Sequence, residues 1–160
     1  MSIQEILNLI QLLALVIISV GTLVIGALVA PTLFANLCRE EARTIMIVTF
    51  GKFDCWIKFS ALTLAIAKFL ELILVHKFNF MLESGTGEAI TKVMNGDLIN
   101  SIVLVMAITA ISLYIAFKLS PAIIQSFEDD SNEFRSLHKQ SEIMHRINFL
   151  MSIFLLTYFI

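Results

Sequence analysis

From Ile6 to Ala30 the chain carries no charged side chain. A helix that crosses the hydrocarbon core of a bilayer needs about 20 mainly apolar residues, and this run supplies them without interruption. It opens on "SIQE", where Ser2 and Glu5 have the spacing of a capping box, and it is expected to stop before Pro31. The leader "MSIQEILNLIQ" has no Lys or Arg, and the apolar run is longer than a signal core, so the segment reads as a permanent helix.

Three further windows follow the same rule. They run from Phe53 to Val75, from Leu98 to Phe117 and from Ile143 to Ile160. Asp97 stands where an N-cap of the third would be, and Asp130 and Glu133 have cap-like spacing ahead of the fourth. Unbroken apolar runs exclude barrel strands, which alternate apolar and polar residues. Backbone groups in lipid must be satisfied within the segment, which makes the runs helices. Composition agrees: 58% of the 160 residues are hydrophobic and the mean hydropathy is +0.89. A soluble domain of this size still exposes about a third of the surface of its unfolded chain, so the excess apolar surface calls for a bilayer. The expected fold is all-α: one polytopic membrane domain over residues 1–160, a bundle of four transmembrane helices (about 6–30, 53–75, 98–117 and 143–160) with short cytoplasmic surface helices. "CREEARTIMIVTFGK" is expected to form a helix leading into the second span, and "LSPAIIQSFEDD" a surface helix with Pro121 in its first turn. No internal repeat is convincing.

Four spans place loops 31–52 and 118–142 on one face and both termini with loop 76–97 on the other. Arg39, Arg43, Lys52, Lys118, Arg135 and Lys139 lie in the first set, against Lys77 and Lys92 in the second. That asymmetry puts the two basic loops in the cytoplasm of a bacterial inner membrane and both termini in the periplasm. Cys38 then faces a reducing compartment with Cys55 near it, and neither belongs to a Cys-x-x-Cys pair. A net charge of −2 gives no reason to expect a nucleic-acid partner.

The second span is unusual in carrying Asp54, Lys58, Lys68 and Glu71. At about 100° per residue all four share one broad side of the helix, and the spacings Asp54–Lys58 and Lys68–Glu71 let each pair meet. Snorkelling and end-pairing would make them anchors. A polar seam inside the bundle would make them a site, and Lys68, about 6 Å from mid-span, is the hardest to place as an anchor. A second stripe is "LHKQSEIMH", which sets His138, Ser141, Glu142 and His145 on one helical face. These could ligate a divalent metal, His138 and His145 could meet a haem iron, or the stripe could be a polar lead into the fourth span. No cofactor is required by the sequence. Thr22, Gly26 and Ala30, four residues apart, form a small-residue stripe suited to close packing within the bundle, or to a second copy or another membrane protein.

Two segments resemble a bacterial membrane family defined as domain of unknown function 4149. "GALVAPTLFANLCREEARTIMIVTFGKF" (26–53) is similar to its opening, with Ala30, Pro31 and Phe34 followed by an acidic-basic helix from Arg39 to Ala42. "LSPAIIQSFEDDSNEFRSLHKQSEIMH" (119–145) resembles its second signature through Ser120, Pro121, Phe134, Leu137, His138 and Ser141, with His145 where the family has Asn. The resemblance implies a four-helix membrane bundle. Eukaryotic relatives, of the transmembrane protein 205 type, are associated with platinum-drug resistance, and more distant ones include copper-resistance membrane proteins and a haem-linked protoporphyrinogen oxidase. Three functions are therefore expected to compete: a transport or metal/drug-tolerance module, a structural or assembly protein without chemistry, and a haem-linked redox protein.

Overall fold

A computed structural model of the chain describes residues 2–83, 96–126 and 132–158, with the side chains of residues 27, 39, 75–83, 96, 97 and 132–135 outside that description. Every element is helical: α1 (Ile3–Leu23), α2 (Ala30–Asn36), α3 (Arg39–Glu83), α4 (Gly96–Tyr114), α5 (Ser120–Ser126) and α6 (Asn132–Leu156). Wider π-helical turns join α1 to α2 (Val24–Val29) and α4 to α5 (Ile115–Leu119), so the chain forms four long rods. The capping box forms as expected: Glu5 N–H donates to Ser2 Oγ, and Ser2 N–H to the Glu5 carboxylate. The cap positions Asp97, Asp130 and Glu133, and the outer segment 84–95, lie outside the described residues or side chains.

Contrary to expectation, Pro31 does not end its helix and Pro121 does not begin a separate one. Proline lacks an N–H and its ring collides with the carbonyl four residues earlier. In both rods a π-turn widens the helix just ahead of the ring. Ala30 N–H donates to Ile25 O and Ser120 N–H to Ile115 O, each five residues back and each immediately before the proline. The first rod therefore runs through Pro31 to Asn36. Likewise α5 is no detached surface helix: it continues α4, and its Ser120, Ile123 and Ser126 are buried. The helix expected over 39–52 is present as the start of α3, continuous with the second apolar window, and its Ala42 and Met46 are buried.

Among the described residues, α1 packs on α3 and α6, and α4 packs on the same two helices, so the rods close into a ring. Its centre is apolar and small-residue rich: Ala14, Leu15 and Ile18 meet Ala61, Leu64, Val105, Ile108 and Leu155. Gly21 sets the approach of α1 to α3. A Cβ there would stand 2.6 Å from the Phe53 ring. Gly26, which the small-residue stripe marked for close packing, has open space around it instead.

The architecture repeats where the sequence does not. Pro31 and Pro121 are 90 positions apart, and so are the buried pairs Gln11 and Ser101, Leu15 and Val105, Ile18 and Ile108, and Ser19 and Thr109. On the following helices Ile57, Ala61 and Leu64 are buried, and so are Asn148, Ser152 and Leu155, 91 positions on. Helix, π-turn, proline and return helix occur twice.

Two of the rods, Ile3–Asn36 and Leu98–Ser126, are long and apolar enough to cross a membrane. Helix α3 carries Asp54, Lys58, Lys68 and Glu71, and its surface is divided. Trp56, Phe59, Leu62, Ile66, Phe69 and Ile73 point outward, while Asp54, Ile57, Ala61, Leu64 and Lys68 point into the ring. Helix α6 has the same division, with Ile143, Ile147, Leu150 and Ile153 outward and Asn148, Ser152 and Leu155 inward.

Candidate functional site

Lys68 and Glu71 sit three residues apart on α3, and the helix turns both toward α1. Lys68 Nζ lies 3.0 Å from Glu71 Oε2, with side-chain exposures of 8% and 12%. Gln11 of α1 completes the group. It is fully buried, and its Nε2 donates to the same Glu71 oxygen at 2.9 Å. Its Oε1 is buried with no hydrogen-bond partner. Desolvating an ammonium and a carboxylate costs several kcal/mol per ion, and mutual attraction offsets this only with good geometry and added hydrogen bonds. Gln11 supplies such a bond. Sequence spacing identifies Lys68 and Glu71 but not Gln11, whose partner lies 60 positions away. Its signal was a carboxamide within an apolar run, where a polar group needs a partner.

Asp54 and Lys58 make no direct ion pair among the described residues, although their spacing allowed one. Asp54 is buried and accepts a hydrogen bond from Ser120 Oγ at 3.1 Å. Lys58 instead places its ammonium 4.3 Å from the centre of the Phe117 ring. Both contacts tie α3 to the widened turn of the other rod. Ala61 and Leu64 of the apolar centre lie between Asp54 and Lys68, which are about 21 Å apart along the helix. The four charges therefore form two groups well separated along α3 and not one ion-paired seam.

The stripe on α6 also divides. His138 is exposed, Ser141 is half-buried, and exposed Glu142 pairs with Arg146 one turn on. His145 is half-buried, and its Nδ1 is buried without a partner. His138 and His145 are two turns apart, about 10 Å along the axis, while metal–nitrogen bonds are about 2 Å. Among the described residues no group of three or more His, Cys, Asp or Glu is placed to hold a metal ion. Cys38 and Cys55 are free and exposed.

Inward from the stripe, Asn148 of α6 is 2% exposed and donates through Nδ2 to Ser112 Oγ of α4 at 2.8 Å. Ser152 Oγ caps the Asn148 carbonyl at 2.8 Å, and Asn148 Oδ1 has no partner. Neither Asn148 nor Ser112 stands out in sequence, because each has an ordinary role in an apolar helix until the partner is known. Compared with protein-family models, curated proteins and solved structures, the chain matches none.

Proposed function

We propose that the chain is an integral membrane protein of four crossings, and that the Gln11–Lys68–Glu71 cluster is the intramembrane site of a transport or metal/drug-tolerance module. The apolar outer faces of α3 and α6 support crossings by these two helices, because Asp54 and Lys68 of α3 and Asn148 of α6 are buried in the ring. Cationic residues on loops 31–52 and 118–142 support a cytoplasmic location for those loops in a bacterial inner membrane, with both termini periplasmic. Membership of the family that the two segments resemble belongs to the same proposal.

The observation that carries the functional part is a buried lysine–glutamate pair. A charged side chain at the centre of a membrane helix costs about 2.5–3.5 kcal/mol on insertion scales. Serine, threonine and asparagine could join α1 to α3 at lower cost, as they join α4 to α6. Survival of cells challenged with toxic divalent metals or cationic drugs tests the reading. Cells carrying Lys68→Ala are expected to lose protection that the wild type confers. A Lys68→Ala protein that inserts, folds and protects fully would remove it.

One observation favours a structural or assembly role instead. Apolar Ala61 and Leu64 lie between the two charged groups along α3, and each group links neighbouring helices. That role requires Lys68→Ala to alter only folding or complex formation.

A further inference from the structure

We propose that Glu71 and Gln11 form a binding site for a small cation bearing N–H donors, ammonium or a primary amine, and that the Lys68 ammonium is its resident occupant. This rests on reading the cluster as a ligand site. Both hydrogen bonds to Glu71 fall on Oε2. Its Oε1 accepts none among the described residues and is not fully buried, the Glu71 side chain being 12% exposed. Gln11 Oε1, fully buried, accepts none either. Two idle oxygens thus belong to the two residues whose other atoms already hold an ammonium. A buried acceptor is normally satisfied, and a cluster kept only for stability would satisfy the Gln11 oxygen. Idle acceptors, one on a carboxylate, call for a donor with positive charge. An anion would meet Glu71 and the Gln11 oxygen with only Lys68 in its favour.

No separate cavity is needed. The volume taken by the Lys68 ammonium is the site, and its flexible four-carbon stem allows the head to withdraw. Bound solute and Lys68 then compete for one carboxylate, which sets the fraction of protein that is competent to bind.

Thermal unfolding of the purified full-length protein, with methylammonium as the probe, tests this. Lys68→Ala empties the ammonium volume. Methylammonium is expected to raise its melting temperature saturably, with half-effect at about tenfold lower concentration than in the wild type, where Lys68 competes. Tetramethylammonium, which has the charge but no N–H, is expected to have no such effect. Equal shifts from the two cations, or a methylammonium shift that persists in Lys68→Ala/Glu71→Gln, would overturn the site. If Lys68→Ala fails to fold alone, it is purified in methylammonium: folded protein there supports the site, and unfolded protein in both buffers overturns it. Cell survival separates the two readings. A Lys68→Ala protein that protects normally yet is stabilised by methylammonium supports the cation site without the tolerance role. One that fails to protect and ignores methylammonium leaves the tolerance role and overturns the cation site.

Discussion

The two halves of the ring share a plan and differ in what holds them together. In the first, α1 and α3 are joined near one end by a carboxamide, Gln11, bonded to the carboxylate of an ion pair within α3. In the second, α4 and α6 are joined by a neutral carboxamide and a hydroxyl, Asn148 to Ser112. Buried positions recur with matching spacing in both, so the second half shows what this plan needs in order to pack: an apolar face, small residues and one amide bond. The charges of the first half exceed that need. Charge retained where neutral groups suffice is the physical reason to assign Lys68 and Glu71 a task beyond packing.

The comparison can be broken most forcefully at Glu71. Removing one partner of a buried pair leaves the other charge uncompensated, at a cost of about 3–5 kcal/mol. Glu71→Ala is therefore expected to unfold at markedly lower temperature or denaturant than the wild type. Replacing both partners, as in Lys68→Met/Glu71→Leu, is expected to recover most of that loss, less about 1–3 kcal/mol for the buried Gln11 amide left without its acceptor. The same double variant is expected to lose protection in the survival assay. A stable double variant that still protects would show that the charges serve packing alone.

How much of this was legible in sequence follows the range of each interaction. Apolar runs declare helices because their signal is local, and the Ser2–Glu5 box declares a start for the same reason. The common side of Asp54 and Lys68 was also readable, since helical geometry alone turns both inward. Pairing was not. Spacing permits Asp54 to meet Lys58, but Ser120 lies 66 positions away and takes the carboxylate, leaving Lys58 to the Phe117 ring. Pro31 misled as a helix stop, and Pro121 as a helix start, because a π-turn costs little where a bundle already holds both sides of it. The repeat was hidden because burial, not identity, is what recurs: Gln11 matches Ser101, and Ile57 matches Asn148.

A second break lies at Gly21. Its counterpart 90 positions on is Ile111, so only the first half uses a glycine at this level. With the Phe53 ring edge 2.6 Å from where a Cβ would stand, Gly21→Ala must displace the ring or part α1 from α3. Overpacking of this kind costs about 1–3 kcal/mol. Gly26→Ala, which meets nothing within 4 Å, is the matched control and is expected to leave the unfolding midpoint of the isolated chain unchanged. Equal effects at the two glycines would mean that the α1–α3 approach is not set at Gly21.

The smallest expected effect sharpens the comparison from the other side. Asn148→Ala removes the amide that donates to Ser112 and keeps the helix backbone intact. Interhelical hydrogen bonds within membranes average about 0.6 kcal/mol, with values near 1.7 at the upper end. Unfolding in detergent or lipid discs should therefore fall by an amount in that range. The loss should be several-fold smaller than for Glu71→Ala, because a neutral amide strands no charge when it goes. Asn148 Oδ1 has no partner to lose, so the variant deletes one bond and one idle acceptor together, which limits the net cost further. If Asn148→Ala were as damaging as Glu71→Ala, the neutral half would bear as much of the fold as the charged one, and the contrast between them would no longer argue for a ligand at Glu71.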